Sequence, residues 1–237
     1  MKLEDYLIGY LMGFIISFIA IQIFFERMII SIIIGFAVGF LAINLYKKYL
    51  IINRQRKLLL QFKDFLESLS ASYSAGKNTQ NAFKDAYNDM IELHGDKAYI
   101  ANELEIIELG IENGFTIEEL LNNFALRSSV DDIKSFTDIL EIGNRTGSNM
   151  KTIIGQTKDI INDKIDIEME INTIIIQKKT ELYIMLAMPF IIILALNTLG
   201  DSTFSAYIPI NVIVRIFVFI IIIIAFLLGK RITDIKV

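Results

Sequence analysis

Cysteine is absent from this chain, so neither a disulfide framework nor a thiolate metal site can be built from it. Its single histidine, His94, stands beside Gly95 in an expected turn, too isolated for a metal centre or a nucleophile–base pair. It also has no dimerising helix and following ATP-binding domain, which a phosphorelay would need. No segment ends in Gly-Lys-Ser or Gly-Lys-Thr as a phosphate loop does, so nucleotide hydrolysis by this chain is not expected. Carboxylates such as Asp131-Asp132 are explained by placement at a helix N-terminus, where the dipole favours them. A Ca²⁺ role for some of the central carboxylates stays open, although no loop has ligand-like spacing. No catalytic, cofactor-binding or metal residue is therefore nominated, and no cofactor is expected. No window alternates apolar and polar residues as a strand would, which leaves an all-α reading.

What the chain has in excess is apolar sequence. Of 237 residues 54% are hydrophobic, with a mean hydropathy of +0.51, above the roughly 45–50% of an ordinary soluble domain. Four windows account for this: Leu7–Phe25, Met28–Tyr46, Leu182–Gly200 and Ile208–Gly229. Each approaches the ~20 residues needed to cross a bilayer. The first two are separated only by Glu26-Arg27. Together they would make a helix about twice as long as the hydrocarbon core is thick, so the chain must reverse there. The expected architecture is an integral membrane protein with two helical hairpins, 1–46 (spans 7–25 and 28–46) and 182–229 (spans 182–200 and 208–229). Between them lies a helical insert at 47–181, and after them a tail at 230–237.

Basic residues set the orientation. Lys47, Lys48, Arg54, Arg56 and Lys57 follow the second span with no acid among them, Lys178 and Lys179 precede the third, and Lys230, Arg231 and Lys236 follow the fourth. The short loops at Glu26-Arg27 and Asp201–Tyr207 hold one basic residue between them. Both termini and residues 47–181 are expected in the cytoplasm. Lys2, Glu4 and Asp5 do not make a basic n-region, the apolar run is too long, and no small-x-small site follows. The first window is accordingly read as an uncleaved span.

The insert reads as about six helices. Leu58, Phe62, Phe65, Leu66, Leu69 and Tyr73 form one stripe that ends at Ala75-Gly76. Asn78 or Thr79 caps the next helix, with Ala82, Phe83, Ala86, Tyr87, Met90 and Ile91 inward until Gly95. Ile100, Leu104, Ile107 and Ile111 follow, ending at Gly114. Thr116 with Glu119 forms a capping box for a short helix through Leu126. Ser129 with Asp132 is expected to start a fifth, with Ile133, Phe136, Ile139 and Leu140 inward.

The sixth element follows a polar turn, Glu141–Asn149, holding Gly143 and Gly147. It runs as a rod from Ser148 to about Leu199, with Met150, Ile153, Ile154, Thr157, Ile160, Ile161, Ile165, Ile171, Ile174 and Ile175 as its apolar positions. Such a rod would be roughly 75 Å long, against a hydrocarbon core of about 30 Å. Its second half therefore belongs in lipid and its first in water. Isoleucine is a weak helix former, and here the period overrules the propensity. Aligning Gly76 with Gly147 also brings Phe65 over Phe136 and Leu69 over Leu140, an echo that a duplication or any two helical hairpins would give.

Charge is unevenly spread. From Asp85 to Glu141 there are 14 acidic residues against Lys97, Arg127 and Lys134, a balance of −11. Glu103, Glu105, Glu108, Glu112, Glu118 and Glu119 form a candidate docking surface for a basic partner, or simply a solvated helical face. Such a surface repels nucleic acid, and none is expected as a partner. The basic stretch 47–57 suits anionic lipid head groups, at about 1 kcal/mol per residue. Within the spans, Pro189 removes a backbone hydrogen bond and is expected to kink the rod. Arg215 either snorkels to the interface, the default reading, or pairs with Asp201 or Glu26.

With these residues in place, the chain resembles the type II secretion system F-domain family, the inner-membrane platform proteins of type II secretion and type IV pili. The likeness covers roughly Leu58 to Leu196. It rests on Phe62-x-x-Phe65-Leu66 leading to Ala75-Gly76, a helix from near Thr79, and Asn113-Gly114-Phe115-Thr116 opening Glu118–Leu121. It continues with Arg127, then Glu141 with Thr146-Gly147, Asn149-Met150, Ile153-Ile154 and Pro189. The turn residues Gly76, Gly114, Glu141, Thr146 and Gly147 carry the family pattern. One such domain between two hairpins looks most like the tight-adherence (Flp) pilus assembly subunits. The resemblance implies a non-enzymatic scaffold in the cell membrane that contacts a hexameric secretion ATPase on the cytosolic side and helps lift pilin or pseudopilin subunits from the bilayer. It also implies a homo-oligomer or a pairing with a sister platform subunit. The alternative class is a small polytopic receptor or transporter component with a regulatory cytosolic domain.

Overall fold

The computed structural model describes residues 3–146, 149–198 and 209–233. They form α1 (Leu3–Phe25), α2 (Met28–Ser74), α3 (Thr79–His94), α4 (Tyr99–Glu112), α5 (Ile117–Ser128), α6 (Asp131–Thr146), α7 (Met150–Thr198) and α8 (Pro209–Thr233). No strand occurs among the described residues, and the fold is all-α. Four helices, α1, α2, α7 and α8, are long and apolar enough to cross a membrane. Two compact units share these elements: Leu50–Ile167, and Met1–Tyr49 together with Glu168–Val237.

The Leu50–Ile167 unit is built on the second half of α2. Phe62, Phe65, Leu66 and Leu69 are fully buried on it, at the helical spacing that the sequence displays. Phe62 meets Phe136 of α6 edge-on at 5.4 Å and Phe124 of α5 at 6.2 Å, while Phe65 lies 5.6 Å from Phe83 of α3. Such aromatic pairs add about 0.5–1.5 kcal/mol each beyond the area they bury. Met90, Ile100, Leu104, Ile107, Leu121 and Leu140 complete the core, joined from α7 by Ile154, Ile161 and Ile165.

Local signals set the ends of these helices. Asn78 accepts from the Asn81 amide at 2.9 Å as the N-cap of α3, and Thr116 and Glu119 exchange both bonds of a capping box at the start of α5. Gly76, Gly95 and Gly114 all have positive φ, the conformation in which glycine alone is unstrained.

Ser129 does not open α6: it is the left-handed C-cap of α5 (φ 53), its amide bonded to Ala125 at 3.2 Å. The connection is so short that the turn consumes Ser129, and Val130, buried, anchors it. Glu141–Thr146 is not a turn but the last part of α6, and Gly143 sits inside that helix, where an added Cβ would meet the Cδ1 tip of Ile153 of α7. The described part of the rod runs from Met150 to Thr198. Ile139, expected inward on α6, is instead 39% exposed, and of the rod's apolar positions Ile160 and Ile174 face outward, at 65% and 56% exposed. Gly147 and Ser148 lie outside the described residues, as do Asp201 and the loop around it.

In the other unit, α1 and α2 approach through small residues. A Cβ on Gly13 would overlap that of Ala42, and one on Gly39 would lie 2.8 Å from Tyr10 Cε2. Backbones this close gain dispersion contact, the main source of helix association where the surroundings are themselves apolar. Tyr10 packs edge-on against Phe36 and Phe40 at 6.1 and 5.8 Å. Phe24 is fully buried between Phe190 of α7 and Phe219 of α8, at 5.0 and 5.3 Å. The outward residues are apolar too, among them Phe40, Met185 and Phe217. A surface of this kind suits lipid rather than water.

Candidate functional site

On α4 the buried face (Ile100, Ala101, Leu104, Ile107) leaves Glu105, Ile106, Leu109 and Glu112 exposed on the opposite one. The six nominated glutamates differ in what they face. Glu103 accepts from Arg127 at 2.6 Å, and Glu108 lies 3.5 Å from Lys84. Glu118 pairs with the Asn144 side-chain amide, and Glu119 closes the capping box. Glu105 and Glu112 have no cation within 4 Å among the described residues. They stand one residue short of and three beyond an apolar pair, Ile106 (47% exposed) and Leu109 (52% exposed). The acidic surface that composition suggested is thus narrower and partly apolar. Beneath its edge, burial and then the Glu105 and Glu108 carboxylates push the Tyr87 phenol above its ordinary pKa.

Arg215 of α8 is buried, only 7% exposed. Its Nη1 donates to the Phe24 carbonyl at 2.6 Å and to Glu26 Oε1 at 3.1 Å, and its Nη2 to Asn197 Oδ1 at 3.1 Å. Asn197 in turn donates to the Ile23 carbonyl at 3.4 Å. Snorkelling is therefore replaced by pairing: the charge is met by Glu26, at the turn where α1 gives way to α2 and where Glu26 itself adopts φ 52. A carbonyl left without an intrahelical donor at the end of α1 is a natural acceptor for it. Pro189, inside α7, lines a cavity of about 460 Å³ with Leu196, Asn197, Asn211, Val214 and Arg215. No local sequence feature signals that Phe24 and Asn197 would meet Arg215. The usable signal was Glu26, an acid at the far end of two apolar windows.

Residues 62–197 match the family described as Type II secretion system (T2SS), protein F. That is more than half of the chain. The chain belongs to this family. No curated protein and no solved structure matches it. Together with the four span-capable helices, membership makes this protein F relative a multi-pass membrane protein of the secretion-system and type IV pilus class, whose members are generally non-enzymatic.

The turn residues of this F-family chain fall into two groups. Gly76 and Gly114 occupy left-handed turns (φ +80 and +85) with nothing within 4 Å of an added Cβ, so conformation alone selects glycine there. Glu141 instead accepts from Arg145 at 2.8 Å one helical turn on, and the Thr146 hydroxyl donates to the Ile142 carbonyl at 2.9 Å. His94 is tied to Asp64 of α2, 2.8 Å away. Among the described residues no three His, Asp or Glu side chains converge as a metal site would require.

Proposed function

We propose that this chain is the inner-membrane platform subunit of a tight-adherence-type pilus, or of a related type II secretion assembly, with both termini and residues 47–181 in the cytoplasm. It works as a scaffold. A hexameric secretion ATPase docks on the face around Glu105, Ile106, Leu109 and Glu112, and pilin or pseudopilin subunits are extracted on the membrane side. The chain acts as a homo-oligomer or beside a sister platform subunit. The observation that carries this reading is α7: one helix, Met150–Thr198, that starts on core residues Ile154 and Ile161 and ends on a span-length apolar stretch. Between Gly155 and Pro189 it has no glycine or proline, so a twist applied at one end is transmitted without a flexible joint.

The test is a Gly-Gly-Ser insertion beside Lys178. Membrane insertion should persist and pilus assembly should stop; wild-type piliation would refute transmission through α7. Labelling that found residues 60–170 outside the cell would refute the orientation. The receptor or transporter reading gains little from Arg215, because its partners Phe24 and Glu26 stand at the end of a span rather than midway along one.

A further inference from the structure

Within the Leu50–Ile167 unit, α2, α4 and α5 enclose a cavity of about 160 Å³, lined by Arg54, Gln55, Tyr99, Glu103, Arg127 and Ser129 among others. A single water needs only about 10–15 Å³ by this kind of measure, so there is room for a polyatomic group. The Arg54 guanidinium lies 5.2 Å from the centre of the Tyr99 ring. That contact orients the planar fork without using its N–H donors. Arg54 has no carboxylate partner among the described residues. Arg127 is fixed from the other side, since its Nε and Nη2 both donate to Glu103 Oε2 at 3.2 and 2.6 Å, which leaves its Nη1 edge open. Gln55 donates to the Ser129 carbonyl at 2.9 Å and ties α2 to the α5–α6 turn. Glu103 is the one acid in this wall and is engaged by Arg127, so two guanidinium groups leave a net charge of +1.

We propose that this cavity binds a phosphate-bearing group, held by the Arg54 fork and the free edge of Arg127. A guanidinium matches two phosphate oxygens at once, and one already stacked on an aromatic ring loses little freedom in doing so. The basic run 47–57, to which Arg54 belongs, raises the local concentration of such anions. The group is either the head of an anionic phospholipid or a free phosphate compound. The chemistry of the site is the same for both.

The experiment uses the full-length chain in detergent. Native mass spectrometry counts retained phosphatidylglycerol, and equilibrium dialysis measures inorganic phosphate and ATP. Retention of phosphatidylglycerol alone identifies the lipid source, and binding of the soluble anions identifies the free one. In either case Arg54→Gln should weaken binding about tenfold. Arg54→Lys, which keeps the charge but loses the fork, should restore only part. Tyr99→Leu should weaken it without any change in charge. Absence of binding by all three probes, or binding that Arg54→Gln leaves intact, would overturn the assignment. Circular dichroism of each variant separates loss of the site from loss of the fold.

Discussion

Arg215 and Glu26 are 189 positions apart in sequence and 3.1 Å apart in space, with the arginine side chain 9% exposed. An arginine in an apolar helix is tolerable only if its charge and its donors are met, and here a carboxylate, a helix-terminal carbonyl and an asparagine meet them. The pair fastens α8 to the turn between α1 and α2.

Removing one partner of a buried pair strands the other. Arg215→Leu or Glu26→Leu alone should therefore lower stability by about 3 kcal/mol, and the double variant should lose less than the sum. Thermal unfolding in detergent of the two single variants and the double one measures the coupling. Strict additivity would mean that the contact contributes nothing specific.

Gly13→Leu should abolish the close approach of α1 and α2, since even a methyl group there would overlap Ala42. Overpacking of this kind typically costs about 1–3 kcal/mol or more. Gly155→Ala is the control: the nearest foreign atom to its Cβ would be Ser70 Oγ at 4.0 Å, so a gain of up to about 1 kcal/mol in helix propensity is expected. Cross-linking between cysteines placed on α1 and α2 reports the first effect, and a thermal melt the second.

The proposed docking of a secretion ATPase should depend on Glu105 and Glu112 far more than on Glu103 or Glu108, which already have cationic neighbours. Glu105→Lys with Glu112→Lys should abolish co-purification, and wild-type affinity should fall as salt rises from about 50 to about 300 mM. Ile106→Ser should weaken the complex without altering that salt dependence. An affinity indifferent to salt would remove the electrostatic part of the proposal.

Burial raises the pKa of Tyr73 above the ordinary tyrosine value of 10.0, and the charge of Glu118 pushes the same way. The folded protein thus holds this proton more tightly than the unfolded chain does. The resulting stability is complete below about pH 10 and is lost as pH rises towards the folded value. Unfolding midpoints between about pH 9 and 11 should fall more steeply in the wild type than in Tyr73→Phe. Parallel curves would show that the phenol is not linked to folding.

The sequence by itself determined the helices, and with them the core. A stripe such as Phe62, Phe65, Leu66 and Leu69 has only one periodicity, and a glycine at the point where such a stripe stops, such as Gly114, suits the left-handed turn that ends a helix. Span length was equally legible, because bilayer thickness is a fixed external ruler. The family pattern was readable for the same reason, being an order of turns and apolar periods.

Tertiary structure alone decided which polar groups were left without partners. Nothing local distinguishes Glu105 from Glu103; the difference is that Arg127 comes back to one and not to the other. Nor does the neighbourhood of Arg215 announce Phe24, Glu26 and Asn197, which approach from α1 and α7. Gly143 reads as a turn glycine in the sequence because a need for left-handed backbone and a need for close helix approach select the same residue. Only the position of Ile153 beside it tells the two apart. Periodicity is a property of neighbours along the chain, whereas charge compensation is a property of neighbours in space, and folding alone makes those the same.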